Sequence, residues 1–325
     1  MCINQTEIAK LNIARDIISE TDRSISRTED FRLLYPFTTE NLIDYYKQFN
    51  FPGKTYLTIG SSCAQIFDAI LADVASIDVI DTSPFVEEYY NLWVSAILLL
   101  PREESINFFA KYMERSGDST LGLSPTSFSR EVYKNISQKI DNPNIKFFWD
   151  SLFEEFKSHT IRTFLFRPFA EDTPARAVSK MSSFLLNDEN YKKLRERIKQ
   201  VKVNFTIGDI LTANITKTYD NINLSNLVDL VKQGNINTFL DFCERLINNN
   251  LNQEGVILMA YLFYAIGYAN GNGDLIPVFR KRFPNMKEAI INSAYNISKG
   301  PSDPLYPHFR DVALIYKKTR KNLHL

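Results

Sequence analysis

Residues 54–84, KTYLTIGSSCAQIFDAILADVASIDVIDTSP, decide the fold of this chain. The β-prone run 56–59 ends abruptly at Gly60, a stretch of helical composition covers 64–72, and a second short strand stops at Asp81. This pattern predicts the front half of a nucleotide-binding βαβ unit, in which a glycine lets the backbone approach a ligand. Asp81 follows Gly60 by 21 residues, where an acid can accept hydrogen bonds from two ribose hydroxyls.

The turn after the first predicted strand lacks the later glycines of a dinucleotide site. Ser62 and Gln65 stand where the G-x-G-x-x-G pattern would have them, with Ala64 between these two positions. A pyrophosphate needs bare glycines to approach the helix N-terminus, so small polar residues favour a ligand without phosphates. S-adenosylmethionine (SAM), an adenosine joined to an amino acid, is the obvious one. An ordinary strand-to-helix turn without a ligand is the alternative.

Composition predicts a globular protein and excludes a global electrostatic attraction to nucleic acid. The chain has 325 residues, of which 44% are hydrophobic and 13% aromatic, enough for a well-filled core. The 38 basic and 38 acidic residues balance, so no overall field favours nucleic acid or an anionic membrane.

Targeting and metal signals are weak throughout the sequence. The start, MCINQTEIAK, has neither a basic n-region nor an apolar h-region, and no apolar run reaches the roughly 20 residues of a membrane span. Cysteine and histidine show no disulfide or metal spacing; they stand at Cys2, Cys63, Cys243, His159, His308 and His324. We therefore expect a cytoplasmic protein without a transmembrane segment, a nucleic-acid partner or a metal.

The order of predicted elements indicates the fold class. Strands predicted near residues 56, 77, 203, 220, 257 and 313 alternate with helices, and the helix after the fourth strand is predicted to end at Gly255. This order predicts an α/β fold with a doubly wound, mostly parallel, Rossmann-like sheet. Residues 102–198 show no convincing strand pair and are predicted to be a helical insertion between the second and third strands, forming the acceptor side. We expect residues 1–50 to be an N-terminal helical segment and 51–325 the ligand-binding domain.

The element order resembles that of the class I SAM-dependent transferases. The resemblance implies that Gly60, Ser61 and Ser62 cradle the amino-acid part of SAM, and that Asp81 holds the ribose. It also implies that the Gly-Asp after the third strand, with Asp209, contacts the adenine amino group. The neighbouring positions of the proposed cofactor site are Thr82, Ile210, Asn223 and Ser225.

A narrower resemblance covers roughly residues 30–230. It is to the SAM:diacylglycerol 3-amino-3-carboxypropyl transferases of betaine-lipid synthesis and their relatives. The motifs that carry it are LTIGSS (57–62), DTSP (81–84), EVYKNI (131–136), FFWD (147–150), IGD (207–209) and NLSN (223–226). The chain departs from the pattern at Leu92-Trp93, where relatives tend to have a lysine, and at Asn226, where they have an acid. The acceptor therefore need not be diacylglycerol.

Candidates for the reaction itself are fewer. Tyr133 and His159 are the weak catalytic candidates, and both also fit structural roles. Trp149 and Asp150 are expected to pack and to shape an acceptor pocket. The remaining candidates for an anionic acceptor are Arg130 and Arg167, whose alternative is a solvated surface.

Together these observations predict a SAM-dependent transferase that moves the 3-amino-3-carboxypropyl group to a nucleophile. The acceptor is expected to be a small or lipid-like molecule, and the sequence leaves the oligomeric state open. A methyltransferase on the same scaffold and a non-catalytic SAM- or nucleoside-binding protein are the alternatives. An NAD-dependent oxidoreductase is disfavoured by the missing glycines.

Overall fold

A seven-stranded mixed sheet forms the centre of the computed structural model. The structure describes residues 3–20, 31–60, 62–110, 112–113, 122–123, 127–166, 180–227, 236–261, 276–292 and 310–319. Its strands are β1 (Thr55–Thr58), β2 (Ser76–Asp81), β5 (Lys202–Ile207), β6 (Tyr219–Asn223), β7 (Leu251–Tyr261), β8 (Lys287–Asn292) and β9 (Arg310–Lys317). A separate antiparallel pair is formed by β3 (Tyr112–Met113) and β4 (Gly122–Leu123).

The strand order is β5-β2-β1-β6-β7-β9-β8. The first five strands in this order run parallel, and β9 is antiparallel to both of its neighbours. The β1–β2, β2–β5 and β6–β7 connections carry helices, and the arrangement confirms the predicted doubly wound, mostly parallel α/β sheet. All six predicted strands are present.

Helices pack on both sides of this sheet. Their bounds are α1 (Gln5–Ser19), α2 (Leu42–Tyr45), α3 (Ala64–Leu71), α4 (Val86–Leu99), α5 (Arg102–Phe109), α6 (Arg130–Ile136), α7 (Pro143–Glu155), α8 (Ser158–Phe164), α9 (Ser183–Leu186), α10 (Asp188–Arg197), α11 (Ile236–Arg245) and α12 (Ile276–Arg282). Short 3-10 turns follow α2 and α6, and a π-helical turn over Leu246–Asn250 joins α11 to β7.

Alternate residues of the central strands belong to two different hydrophobic cores. In β7, Val256 and Leu258 pack into one cluster, while Ile257 and Met259 pack into the other. Side chains of a strand point alternately to opposite faces, so both faces of the sheet are covered. This explains why β7 reads as a continuous apolar run in the sequence.

The first face carries most of the helices. Helices α5 to α10, which lie between α4 and β5 in the chain, each pack against α1, α3 or α4 on this face. Large rings fill the layer, and Trp93 of α4 stacks on Phe109 of α5 with ring centroids 3.7 Å apart. The role of residues 102–198 as the acceptor side stays a prediction, since their described helix contacts are with this layer.

The second face is covered more thinly. Helices α11 and α12 pack on it with a core that includes Phe239 and Phe279. Between β5 and β6, the fully described residues 208–218 form turns and no helix. Leu211 and Ile215 of this connection pack against the second core and cover the sheet there.

Three sequence predictions about elements were wrong. The insertion does contain a strand pair, β3 and β4, whose two-residue strands are too short to give a pattern. Strand β8 was missed because it is an edge strand with only three apolar residues in succession. Gly255 does not end a helix but lies inside β7, where an added Cβ would be 2.8 Å from the Asn252 carbonyl oxygen.

Candidate functional site

The ends of β1 and β2 meet at Gly60. An added Cβ at this residue would lie 2.3 Å from Val86 Cγ2 and 3.1 Å from Asp81 Oδ2. No real Cβ atom tolerates the first of these distances, so only glycine lets the chain leave β1 this close to the carboxylate. The Gly60 carbonyl oxygen accepts a hydrogen bond of 2.8 Å from Cys63 N, which closes the turn before α3.

Asp81 is held at the centre of this edge. Its Oδ1 accepts a hydrogen bond of 2.8 Å from Ser83 N, and its carbonyl oxygen accepts one of 2.8 Å from Gly208 N. The residue is 7% exposed, so the carboxylate lies almost out of solvent. Gly60, Asp81 and Gly208, which lie at the ends of three neighbouring strands, are thereby brought together.

The residues flanking these positions have mixed roles. Asp209 is exposed, and its Oδ1 accepts a hydrogen bond of 2.9 Å from Leu211 N, so the side chain stabilises the turn. Ile210 is buried in the core of the second face. Thr82 is exposed and donates a hydrogen bond of 3.2 Å from Oγ1 to the Phe31 carbonyl oxygen.

The β1–α3 turn is polar but buried where it is described. Ser62 is buried, and its Oγ accepts a long hydrogen bond of 3.4 Å from Ala64 N; Ser61 lies outside the described residues. Cys63 is buried with φ 65°, and burial raises the pKa of its thiol, with the nearby Asp81 carboxylate adding to the effect. A thiol with a raised pKa is a poor nucleophile, so Cys63 belongs to the packing of the turn.

Two predicted residues lie together at the end of β6. Asn223 pairs in register with Thr58 of β1, and its Oδ1 accepts a hydrogen bond of 2.9 Å from Ser225 N. Ser225 is buried with φ 52°, a left-handed conformation that is uncommon for a serine. Its hydroxyl donates a hydrogen bond to the carboxylate of Glu40.

Residues 31–41, named here the strap, cross the strand ends and were not predicted to do so. The Ser83 hydroxyl donates a hydrogen bond of 2.6 Å to the Arg32 carbonyl oxygen, and the Tyr89 hydroxyl donates one of 2.8 Å to the Pro36 carbonyl oxygen. With the Thr82 and Ser225 contacts, these bonds tie the strap to the ends of both β2 and β6. Sequence reasoning assigned these residues to an N-terminal helical segment.

Glu40 is the site residue that sequence reasoning missed. Burial raises the pKa of its carboxyl group to about 7, opposed by hydrogen bonds from the Ser225 hydroxyl and the Asn226 backbone, while the Asp311 carboxylate raises it further. No described basic side chain forms an ion pair with it. In the sequence Glu40 looks like an acid near a helix start, because Ser225 lies 185 residues further along the chain and Asp311 further still.

The two catalytic candidates lie in the helical layers. Tyr133 is buried between α6 and α7, where its hydroxyl donates a hydrogen bond of 2.6 Å to Asp150 and its ring stacks on Phe153. Burial, followed by the Asp150 carboxylate, raises the pKa of Tyr133. His159 is exposed on α8 and contacts Thr160. Among the described residues, neither side chain hydrogen-bonds to the strand ends.

The remaining candidates from the insertion also have packing partners. Trp149 is buried, and its Nε1 donates a hydrogen bond of 2.9 Å to the Glu88 carbonyl oxygen. Arg130 is exposed and lies 3.5 Å from the Phe156 carbonyl oxygen, while Arg167 is outside the described residues.

Within the described part of the chain, every helix is too short or too polar to span a membrane. The same part has no cluster of three His, Cys, Asp or Glu side chains suited to a metal ion.

Comparison with known proteins gives structural matches only. No protein-family profile and no curated protein matches the sequence. A SAM-dependent methyltransferase from Thiobacillus denitrificans, crystallised with S-adenosyl-L-homocysteine (SAH), is 12% identical, with 93% of this chain and 100% of that chain covered and a TM-score of 0.38. The N-methyltransferase NodS from Bradyrhizobium japonicum WM9, also with SAH, is 8% identical, with 95% and 98% covered and a TM-score of 0.36.

Likeness at this level decides nothing about activity. The strand order is informative about the fold. Five parallel strands are followed by β9, which is antiparallel and lies next to β7, and this is a specific topology. The sheet is Rossmann-like, doubly wound and mostly parallel, with one antiparallel strand, β9, between β7 and β8. In open α/β sheets ligands bind at the carboxyl ends of the parallel strands, where Gly60, Asp81 and Gly208 meet.

Proposed function

We propose that this protein is a SAM-dependent transferase. The observation that carries the proposal is the meeting of Gly60, Asp81 and Gly208 at the carboxyl ends of three adjacent parallel strands. A glycine that keeps the backbone bare, beside a nearly buried carboxylate, suits a ribose diol and the chain attached to it.

The order of the strands matches the order of groups in SAM. Asp209 follows β5, Asp81 ends β2 and Gly60 follows β1, so adenine, ribose and amino-acid tail would lie along neighbouring strand ends. Asp81 would accept hydrogen bonds from the ribose hydroxyls, and the backbone of the Gly60 turn would hold the tail. The residues at these three strand ends would therefore contact all three parts of SAM.

Two residues around the start of α3 argue against binding of a dinucleotide. Ser62 and Gln65 are buried at the start of α3, where a pyrophosphate would need bare backbone. SAM supplies an electrophilic carbon on a sulfonium, and the protein's task is to position a nucleophile and exclude water. The burial of Ser62, Asn223 and Ser225 supports a site closed to solvent.

For the group transferred, we propose the 3-amino-3-carboxypropyl group, on the resemblance of LTIGSS, FFWD and NLSN to the betaine-lipid enzymes. The acceptor would be a small or lipid-like nucleophile, enclosed by the 102–198 insertion. Trp93, which stands where relatives tend to have a lysine, is 1% exposed and stacks on Phe109.

Methyl transfer is the second candidate, and one observation favours it. The Trp149 and Asp150 side chains of the FFWD motif hydrogen-bond to Glu88 and Tyr133 within the helical layers. That part of the motif is accounted for by packing, which weakens its value as a sign of aminocarboxypropyl chemistry.

Ligand titration tests whether the protein binds SAM, on which the proposal depends. In calorimetry the protein should bind SAM or SAH and not NAD. Tight binding of NAD without binding of SAM or SAH would overturn the proposal.

Product analysis then separates the two reactions. After incubation with SAM and a cell extract, aminocarboxypropyl transfer leaves 5′-methylthioadenosine, and methyl transfer leaves SAH. Chromatography resolves the two by-products whatever the acceptor is. SAM binding with neither by-product across a broad acceptor screen would favour a non-catalytic binding protein.

A further inference from the structure

The end of β6 is the next position along the proposed SAM site. Thr58 of β1 pairs with Asn223 of β6, so Gly60 and Ser225, each two residues further, leave the sheet at the same level. Neighbouring strands are about 4.8 Å apart, so Ser225 lies about one strand spacing from the turn proposed to hold the amino-acid tail. A nucleophile that approaches the sulfonium-bound carbons of SAM from the side opposite β2 would contact Ser225.

Ser225 is fixed in place by its backbone. Its N–H donates to Asn223 Oδ1 at 2.9 Å, and its carbonyl oxygen accepts a hydrogen bond of 2.7 Å from Ala260 N. A left-handed conformation is unfavourable for a residue other than glycine, so these two bonds maintain a conformation that serine does not favour. They aim the hydroxyl at the Glu40 carboxylate of the strap.

We propose that Glu40 receives the proton of the acceptor nucleophile, through the Ser225 hydroxyl that contacts the acceptor at the end of β6. This inference rests on the proposed transferase function. The nucleophile's bond to the transferred carbon forms as the carbon–sulfur bond breaks, and the electron pair of that bond stays on sulfur. Ser225 takes the proton of the nucleophile and passes its own hydroxyl proton to the Glu40 carboxylate, which later releases it to solvent.

The surroundings of Glu40 suit this role. The groups that face it are Asp311 of β9, Tyr56 of β1, Tyr46 of the 3-10 turn, and Ser225 and Asn226 after β6. None of them is a cation, and burial raises the pKa of Glu40 to about 7. A general base is most effective when its pKa lies near the working pH.

The first measurements need no acceptor. Isothermal titration with SAH is expected to give Glu40→Gln the wild-type affinity, because Gln keeps the size and the hydrogen-bonding capacity of the side chain. Carbon-13 NMR of protein labelled at glutamate carboxyl groups is expected to show one resonance that titrates near pH 7 and is missing from Glu40→Gln. A Glu40 resonance that titrates near pH 4.5 would overturn the proposal.

The kinetic measurement uses SAM with a cell extract as the acceptor source. By-product release by the wild type should rise with pH and level off above about pH 7, and Glu40→Gln should lower the rate about 100-fold or more and remove this rise. Glu40→Asp should recover part of the rate. Asp68→Asn is the matched control: Asp68 is equally buried with a pKa raised to about 7, but it caps α9, so the pH profile should stay as in the wild type.

The outcomes separate the two proposals. A folded Glu40→Gln variant with the wild-type rate and pH profile would overturn the role of Glu40 and leave the transferase function intact. A wild-type protein that does not bind SAH, or that releases no by-product with any extract, would overturn the transferase function and the role of Glu40 with it.

Discussion

The two halves of the carboxyl edge are built differently. At the ends of β1, β2 and β5, the site residues are local: Asp81 is the last residue of β2, while Gly60 and Gly208 lie within two residues of the ends of β1 and β5. At the end of β6, Ser225 acquires its partner from the strap, 185 residues away in the chain. The first half depends on strand register and a bare glycine, and the second on where a distant segment crosses the sheet.

This difference predicts how each half responds to change. Substitutions in the β1–β2–β5 half should affect ligand affinity, because this half is proposed to hold the nucleoside. Substitutions at Glu40 should affect the rate and spare affinity, because the strap is proposed to act on the acceptor.

Gly60→Val should have the largest effect on affinity. The added side chain would collide with Val86 and push the chain away from Asp81, since even a Cβ lies 2.3 Å from Val86 Cγ2. We expect SAH affinity to fall about 100-fold or more, with a loss of stability of about 1–3 kcal/mol from overpacking. Calorimetry and urea unfolding measure the two effects.

Gly208→Ala is the steric control for Gly60→Val. An added Cβ at Gly208 meets no atom within 4 Å, so the variant should unfold at the wild-type urea concentration. Wild-type SAH affinity in a folded Gly60→Val protein would show that close backbone approach at Gly60 is not needed.

Asp81→Asn should have the next largest effect. Asn can still accept the hydrogen bond from Ser83 N, but it loses the charge that strengthens bonds from ribose hydroxyls. Loss of a charge-assisted contact is worth about 1.5–3 kcal/mol, so SAH affinity should fall about ten- to a hundredfold. Isothermal titration gives the value.

Asp78→Asn is the control in the same strand. Asp78 accepts hydrogen bonds from Asn204, Lys217 and Tyr219 on the second face, so its loss should lower stability and leave SAH affinity unchanged. Equal losses of affinity in the two variants would remove Asp81 from the binding site.

The pH dependence of stability reports on the buried carboxyl groups. Burial raises the pKa of Asp68 to about 7, so the fold favours its protonated form and this contribution is lost as pH rises from about 4 through 7. Asp68→Asn should reduce the fall in unfolding free energy between pH 5 and pH 8 by about 2–3 kcal/mol. Urea unfolding at several pH values measures the slope, and an unchanged slope would contradict a raised pKa at Asp68.

Tyr133→Phe should have the smallest effect. It removes the hydrogen bond to Asp150 and keeps the stacking on Phe153, so we expect a loss of about 1 kcal/mol in stability. SAH affinity and by-product release should stay at wild-type values. A loss of rate of tenfold or more with an intact fold would return Tyr133 to the list of catalytic candidates.

Sequence reasoning succeeded where a pattern is local. The β-prone runs around Tyr56 and Ile77, and the apolar run of β7, gave the strands, because side chains buried on one or both faces leave a periodic signal. Strand β8 and the β3–β4 pair left no such signal, since they are an edge strand and two-residue strands. Gly255 was assigned to a helix end because a bulge inside a strand uses the same residue type.

What the sequence determined by itself is the parallel core of the sheet and the position of Gly60 and Asp81 at adjacent strand ends, because parallel strands joined by a crossover end at the same edge. Only the tertiary structure decided that the strap crosses this edge and that Glu40 lies buried against Ser225. The physical reason is that burial and hydrogen bonding of a carboxyl group depend on every segment packed around it. The local sequence of a polar stretch does not distinguish a solvated carboxyl group from a buried one.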